Sequence, residues 1–185
     1  MVLPIYIYGH PVLKKIGAPI DSDYPELKDL IDNMFETMYN ARGVGLAAPQ
    51  IGLSIRLFVV DTIQLLKEEE KNRGIKKVFI NPTIIEMDGL PWSYEEGCLS
   101  IPNLQGDVER PETVRIKFYD EKFNAFEEVF DSMNARVIQH EYDHIEGKLF
   151  IEKLKPLKKK LIQGKLNKMK AGNVTADYKI KIYRS

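Results

Sequence analysis

A chain of 185 residues with 27 Lys+Arg and 27 Asp+Glu carries no formal net charge, so no global field draws it to DNA, other nucleic acid or a membrane surface. One cysteine gives no disulfide framework, and no apolar run approaches membrane-spanning length. Met1-Val2-Leu3-Pro4-Ile5 lacks a basic segment followed by a sustained apolar stretch and does not read as a signal peptide. A cytoplasmic protein is expected, or one of an organellar matrix or stroma if a targeting segment has been removed.

In chain order, Leu27, Leu30, Ile31, Met34 and Met38 fall at helical spacing, which predicts a core helix capped by Ser22 or Asp23, with Gly43 beyond its end. Arg56–Val60 and Lys77–Met87 predict strands, the second interrupted by Pro82 and ended by an Asp88-Gly89 turn. Between them, Lys67 to Arg73 is charged and reads as a solvated loop or short helix. Val114, Ile116 and Phe118 alternate with Arg115, Lys117 and Tyr119, the pattern of a half-buried strand. A turn over Glu121 to Asn124 leads to a second strand ending near Phe130. Ser132 is placed as the cap of the following helix and Gly147 as its close. Lys153 to Lys170 holds eight lysines and no acidic residue. With Leu154, Leu157 and Leu161 at helical spacing, it predicts a helix docked by its leucines with a solvated basic face; a patch for ribosomal RNA is the alternative. Tyr178, Ile180 and Ile182 alternate with Lys179, Lys181 and Tyr183, which predicts a closing strand at a sheet edge. No repeat or linker interrupts the chain. The expectation is one α+β domain over residues 1–185, its basic tail starting at about 153. Mixed or antiparallel sheets pack around a central helix, with an N-terminal helix and a C-terminal helix or strand.

Three segments carry chemistry. His140-Glu141-Tyr142-Asp143-His144 is an H-E-x-x-H run; on a helix it places two imidazoles one turn apart, where both reach one metal ion. Glu141 beside them is placed to handle the protons of a water at that metal. A third ligand is needed. The protease class that extends the motif with a third histidine is excluded, because Phe150 stands where that histidine belongs. Carboxylates beyond the motif (Glu146, Glu152, Asp177) lie either nearly adjacent to it or near the tail, and His10 reads as a cap or packing residue near the N-terminus. The remaining soft donor is Cys98, in Glu96-Gly97-Cys98-Leu99-Ser100; a lone cysteine is usually a small buried hydrophobe, but beside an incomplete two-histidine site the ligand reading is preferred. Gly43-Val44-Gly45-Leu46-Ala47-Ala48-Pro49-Gln50 is a small-residue loop. It loosely matches a dinucleotide fingerprint, yet it follows a helix rather than a strand and is followed by Pro49 and Gly52, which argues against that use. Its glycines let backbone pass close to a ligand, and the Gln50 amide can donate to a developing oxyanion. Met133 and Val137 share the helical face of His140; with Val44 and Tyr94 they are candidates to wall an apolar pocket, although simple core packing explains either equally well.

The three blocks, Gly43 to Gln50, Glu96 to Ser100 and Gln139 to His144, resemble the motifs of the peptide deformylase family in kind, order and separation, over roughly residues 1–155. The resemblance implies a metal-dependent hydrolase that removes the formyl group from N-formyl-methionyl nascent peptides. It implies a pocket for the methionine side chain and substrate contacts along Gly43, Val44, Gly45, Glu96, Gly97, Met133 and Val137. It also implies a Leu99 backbone N–H joining Gln50 at the oxyanion. The implied cofactor is one divalent ion held by Cys98, His140 and His144, with Fe2+ physiological and Zn2+, Ni2+ or Co2+ alternatives; the donor set alone does not choose. Glu96 is expected to brace the cysteine segment by pairing with Arg110. Family members often carry Arg where this chain has Gln105, which leaves contacts to the substrate backbone open. Two readings compete. A general metallopeptidase would share the helix motif but not Gln50 or the cysteine segment. A non-catalytic ribosome-binding protein would keep a closed four-ligand metal.

Overall fold

Antiparallel pairing organises most of the chain. In the computed structural model, which describes residues 1–183, five strands form one sheet: β2 (Gly45–Ala47), β3 (Leu57–Asp61), β4 (Lys76–Asp88), β7 (Thr113–Tyr119) and β8 (Ala125–Asp131), in the order β2-β3-β4-β7-β8. β5 (Trp92–Cys98) and β6 (Ile101–Arg110) make a separate antiparallel hairpin. β1 (Ile5–Tyr6) pairs in parallel with β9 (Ile180–Lys181), joining the two ends of the chain. Residues 184 and 185 of the expected domain and tail lie outside the described residues.

The large sheet is buried on both faces at its centre, which explains the unbroken apolar run of β3. Leu57 and Val59 pack towards α1 (Leu27–Asn40), meeting Ile31, Met34 and Met38. Phe58 and Val60 point the other way, towards α2 (Ser132–Ile145), with Phe79, Phe118 and Phe130. A third cluster joins β6 to α3 (Pro156–Lys170) through Leu104, Val108, Ile162, Leu166 and Met169. Helix α2, carrying the H-E-x-x-H run, therefore lies between the large sheet and the hairpin. The α+β expectation and the central placement of this helix hold.

Several boundaries differ from expectation. α1 starts at Leu27 behind Glu26, which has φ 52° and makes no side-chain cap bond, so neither Ser22 nor Asp23 caps it. Ser132 is likewise not a cap: it is the first residue of α2, at φ 51°, and its N–H donates to the Glu112 carbonyl. The chain passes from β8 into α2 with no intervening loop, and that abrupt turn, rather than a hydroxyl, sets the start. The other end conforms: Gly147 has φ 68°, Gly147 N–H donates to His144 and Lys148 N–H to Asp143, the paired bonds of a glycine-terminated helix. Pro82 does not break β4, because the register shifts between Ile80 and Thr83 and absorbs it. On α3, Leu157 and Leu161 face solvent, each 70 % exposed, and Ile162, Leu166 and Met169 dock the helix instead. Apolar residues stand at helical spacing on two faces of this helix, and packing against β6 selected the second. His10 does cap, its Nδ1 accepting from Val12 N–H before a short 3-10 turn.

Candidate metal centre

Three chain segments converge at one end of α2. One turn separates His140 from His144, whose ring centroids lie 5.2 Å apart. Cys98 ends β5, at the tip of the hairpin, and its Sγ lies 3.3 Å from His144 Nε2. One donor atom from each of Cys98, His140 and His144 lies within 4.8 Å of the others. Tetrahedral ligation by sulfur and imidazole nitrogen needs donors roughly 3.4–3.7 Å apart, so little closure is required.

The surroundings of His140 fit a metal ligand. Its Nδ1 sits 2.9 Å from Glu96 Oε2, and donation to that carboxylate leaves Nε2 as the lone-pair nitrogen, the usual arrangement behind a metal-bound imidazole. Glu96 is fully engaged elsewhere too. Arg110 donates through Nε to Oε1 (2.7 Å) and through Nη2 to Oε2 (3.0 Å), and Arg136 Nη1 donates to Oε1 (2.9 Å). Four donors saturate the lone-pair sites of one carboxylate. The pairing of Glu96 with Arg110 is as expected, and its oxygens are occupied by these four donors while the residue lines the cleft over the centre. Burial would raise its pKa, but hydrogen bonds from His140 and Arg110 hold the carboxyl far below the ordinary carboxylate range. Arg110 also donates to Asp143 (2.8 Å). Arg136 donates to the Val108 and Trp92 carbonyls and lies over the Trp92 ring, 4.2 Å from its centroid.

Glu141 occupies a different environment. It is 4 % exposed, and its Oε2 has no hydrogen-bond partner among the described residues. Burial raises its pKa to about 7, with His140 and Arg110 opposing. A free carboxylate oxygen beside three converged soft donors is chemically unfavourable in a bare protein and suits a site where a cation and a water complete the set. The donor types, the Glu96 carboxylate on His140 Nδ1 and this orphaned oxygen all fit a divalent ion. For His140 itself, burial lowers the pKa, but bonds to Cys98 and Glu96 outweigh it and raise it to about 10; burial and the neighbouring His140 push His144 well below its ordinary value.

The small-residue loop is shaped around these groups. A Cβ on Gly45 would stand 2.4 Å from Glu141 Oε1, and one on Gly43 would stand 2.7 Å from Leu99 Cδ1. The glycines therefore make room for the carboxylate and for the cysteine turn. Gln50 Oε1 accepts from the Ala47 N–H (2.8 Å), which turns its Nε2 towards Ser100 Oγ (3.3 Å) and Cys98 Sγ (3.6 Å). A cleft of about 720 Å³ opens over the centre, lined by Gly43, Val44, Gly45, Tyr94, Gly97, Leu99, Gln105, Met133 and Val137 beside the metal-site residues. Sequence reading missed Arg136, Asp143 and Ser100. Arg136 stands one turn before His140 on the same face, a signal that was present in the spacing.

A half-buried two-histidine, one-thiolate cluster with a buried carboxylate at its side, between a helix and the tip of an antiparallel hairpin, defines a metallohydrolase. The family model described as polypeptide deformylase matches residues 2–160. A peptide deformylase of Flavobacterium johnsoniae is 53 % identical over 98 % of this chain and 96 % of its own length. Among solved structures, a peptide deformylase from Legionella pneumophila superposes with a TM-score of 0.80 at 41 % identity, covering 92 % of this chain and 96 % of that one. One from Plasmodium falciparum does so at 0.80 and 35 %, covering 89 % and 93 %. This chain belongs to the polypeptide deformylase family, metalloenzymes that hydrolyse the N-formyl group from nascent polypeptides.

Proposed function

We propose the following assignment of residues for the deformylation that this enzyme carries out. Cys98 Sγ and the Nε2 atoms of His140 and His144 hold one divalent ion, which when bound acidifies water and polarises the formyl oxygen. Glu141 takes the proton that the attacking water loses, and returns a proton to the departing amine, so that formate and a free N-terminus leave. The Gln50 amide and the Leu99 backbone N–H donate to the oxyanion that develops on the formyl oxygen. Val44, Met133 and Val137, which wall the cleft beside His140, take the methionine side chain, while Gly43, Gly45 and Gly97 leave the peptide backbone room. Glu96 orients His140 rather than touching substrate.

The observation that carries this assignment is the Glu141 carboxylate, buried with a free oxygen next to three converged metal donors at the floor of a cleft. The test is formate release from an N-formyl-methionyl peptide by metal-loaded protein. Glu141→Ala is expected to keep the metal and lose turnover by roughly 10²–10⁴-fold, whereas Cys98→Ala loses the metal. Near-normal turnover by Glu141→Ala would remove the general base, and cleavage of unformylated peptides would favour a metallopeptidase.

Ferrous iron is the metal of this reading. The iron form should lose activity in air faster than the nickel form, because an oxidisable metal there adjoins an oxidisable thiolate; equal decay would count against iron. The reading extends to one domain through residues 1–185, since β1 and β9 tie the ends together, with action in the cytoplasm on nascent chains. Ribosome contact through α3 is supported by its exposed Lys158, Lys159 and Lys160; salt-sensitive ribosome binding that survives their replacement would exclude it.

A further inference from the structure

The segment before the C-terminal strand lies against the tip of the hairpin that carries Cys98. In it, Tyr178 packs its ring against the cluster under α1, and its phenolic O–H donates to the Leu99 carbonyl at 2.7 Å. Ala176 and Asp177 line the same cleft as the metal donors, and Asn103 Nδ2 donates to the Thr175 carbonyl at 3.0 Å. Residues 176–178 are thus a wall of the site, although the matched family region stops at residue 160.

The turn they touch needs outside support. Cys98 pairs with Ile101, so Leu99 and Ser100 are the two central residues of the hairpin tip. Two-residue hairpin turns are most stable with left-handed central residues, and neither Leu99 nor Ser100 has a positive φ. Three bonds from three distant segments hold this tip. Tyr8 N–H donates to the Ser100 carbonyl (2.8 Å), Gln50 Nε2 to Ser100 Oγ (3.3 Å), and Tyr178 to the Leu99 carbonyl. Of these three, only the phenol holds Leu99. A bond on the Leu99 carbonyl restrains that residue within the turn.

We propose that Tyr178 is a positioning residue for deformylation: its phenol anchors Leu99 through its carbonyl and so holds the residue, and with it the N–H of the preceding peptide, in place for the reacting formyl group. The claim rests on the role assigned to Leu99 above. Tyr178 acts through Leu99, since misplacing a donor by about 1 Å is enough to slow an enzyme substantially.

Tyr178→Phe in the full-length, metal-loaded enzyme removes the hydroxyl and keeps the ring. The expected result is a fall in kcat of about tenfold, in the range for residues that orient reacting groups from behind, with KM and metal stoichiometry unchanged. Amide hydrogen exchange at Leu99 and Ser100 should quicken in the same variant, a readout independent of turnover. Unchanged kcat would overturn the assignment. A rise in KM alone would overturn it too, leaving the tail as a wall for peptide, and loss of metal would show the phenol holding the cysteine strand instead. Glu141→Ala run alongside separates the two levels. If that variant is inactive while Tyr178→Phe behaves as wild type, the positioning role falls and the site assignment stands. If Glu141→Ala remains active, both fall.

Discussion

Helices α2 and α3 are nearly equal in length, at 14 and 15 residues, yet they are held by different physics. α2 buries eight residues, four of them polar or charged: Arg136, Gln139, Glu141 and His144. α3 buries only Ile162, Leu166 and Met169 and turns its lysines to water. The first is enclosed and satisfied through specific bonds; the second rests on a narrow apolar stripe. Enclosure gives α2 reactive groups with shifted pKa values and fixed directions, and makes each of them costly to disturb. α3 tolerates change because little depends on any one of its exposed positions.

The largest break should come from the charged cluster behind α2. Arg110→Ala leaves Glu96 buried, and Asp143 half-buried, without that partner, and is expected to cost about 3–5 kcal/mol by urea denaturation of the metal-loaded protein. A loss below about 1 kcal/mol, the scale of a surface pair, would mean the cluster is wetter than its burial implies. Leu166→Ala in α3 tests the stripe, with an expected cost of about 2–3 kcal/mol and formate release unaffected once folded. Gly164→Ala should act with the opposite sign. Nothing lies within 4 Å of a Cβ at that position, so improved helix propensity should raise stability by up to about 1 kcal/mol; no gain in Tm would show that α3 contributes little to cooperative unfolding. The smallest effect is set by pH, away from both helices. Tyr39 donates to Asp61, and burial, then that carboxylate, raises its phenol pKa above the ordinary value. A raised folded-state pKa gives stability that is present below about pH 10 and lost as pH climbs beyond it. The ring is 38 % exposed, so screening keeps the effect small. Tyr39→Phe should therefore lessen the alkaline drop in Tm without moving the neutral value by much, and an unaltered alkaline limb would remove Tyr39 from that loss.

The metal donors and Glu141 were legible in the sequence because few residue types perform that chemistry and the helical repeat fixes two of them one turn apart. Their supports were not. Glu96 meets His140 from 44 residues away, and Tyr178 meets Leu99 from 79; only folding brings such pairs together. The hairpin escaped notice for a related reason. Along β5 most residues are exposed, so no alternation marks it, and the buried positions of β6 include Gly106 and Arg110, which do not read as an apolar face. Helix starts were misplaced where a left-handed residue, Glu26 or Ser132, did the work expected of a capping side chain. On α3 the apolar residues offered two equally periodic stripes, and the choice between them belonged to β6.

Pairing β1 with β9 has a consequence for how the enzyme comes into being. Ile5 waits for Ile180, so this strand has no partner until the residues of β9 have been made. Contacts this distant in sequence form late and slowly. Until then the turn bearing Leu99 lacks its C-terminal tether. A molecule whose task begins at the start of other newly made chains would thus complete its own working centre only after residues 178–181 have been made.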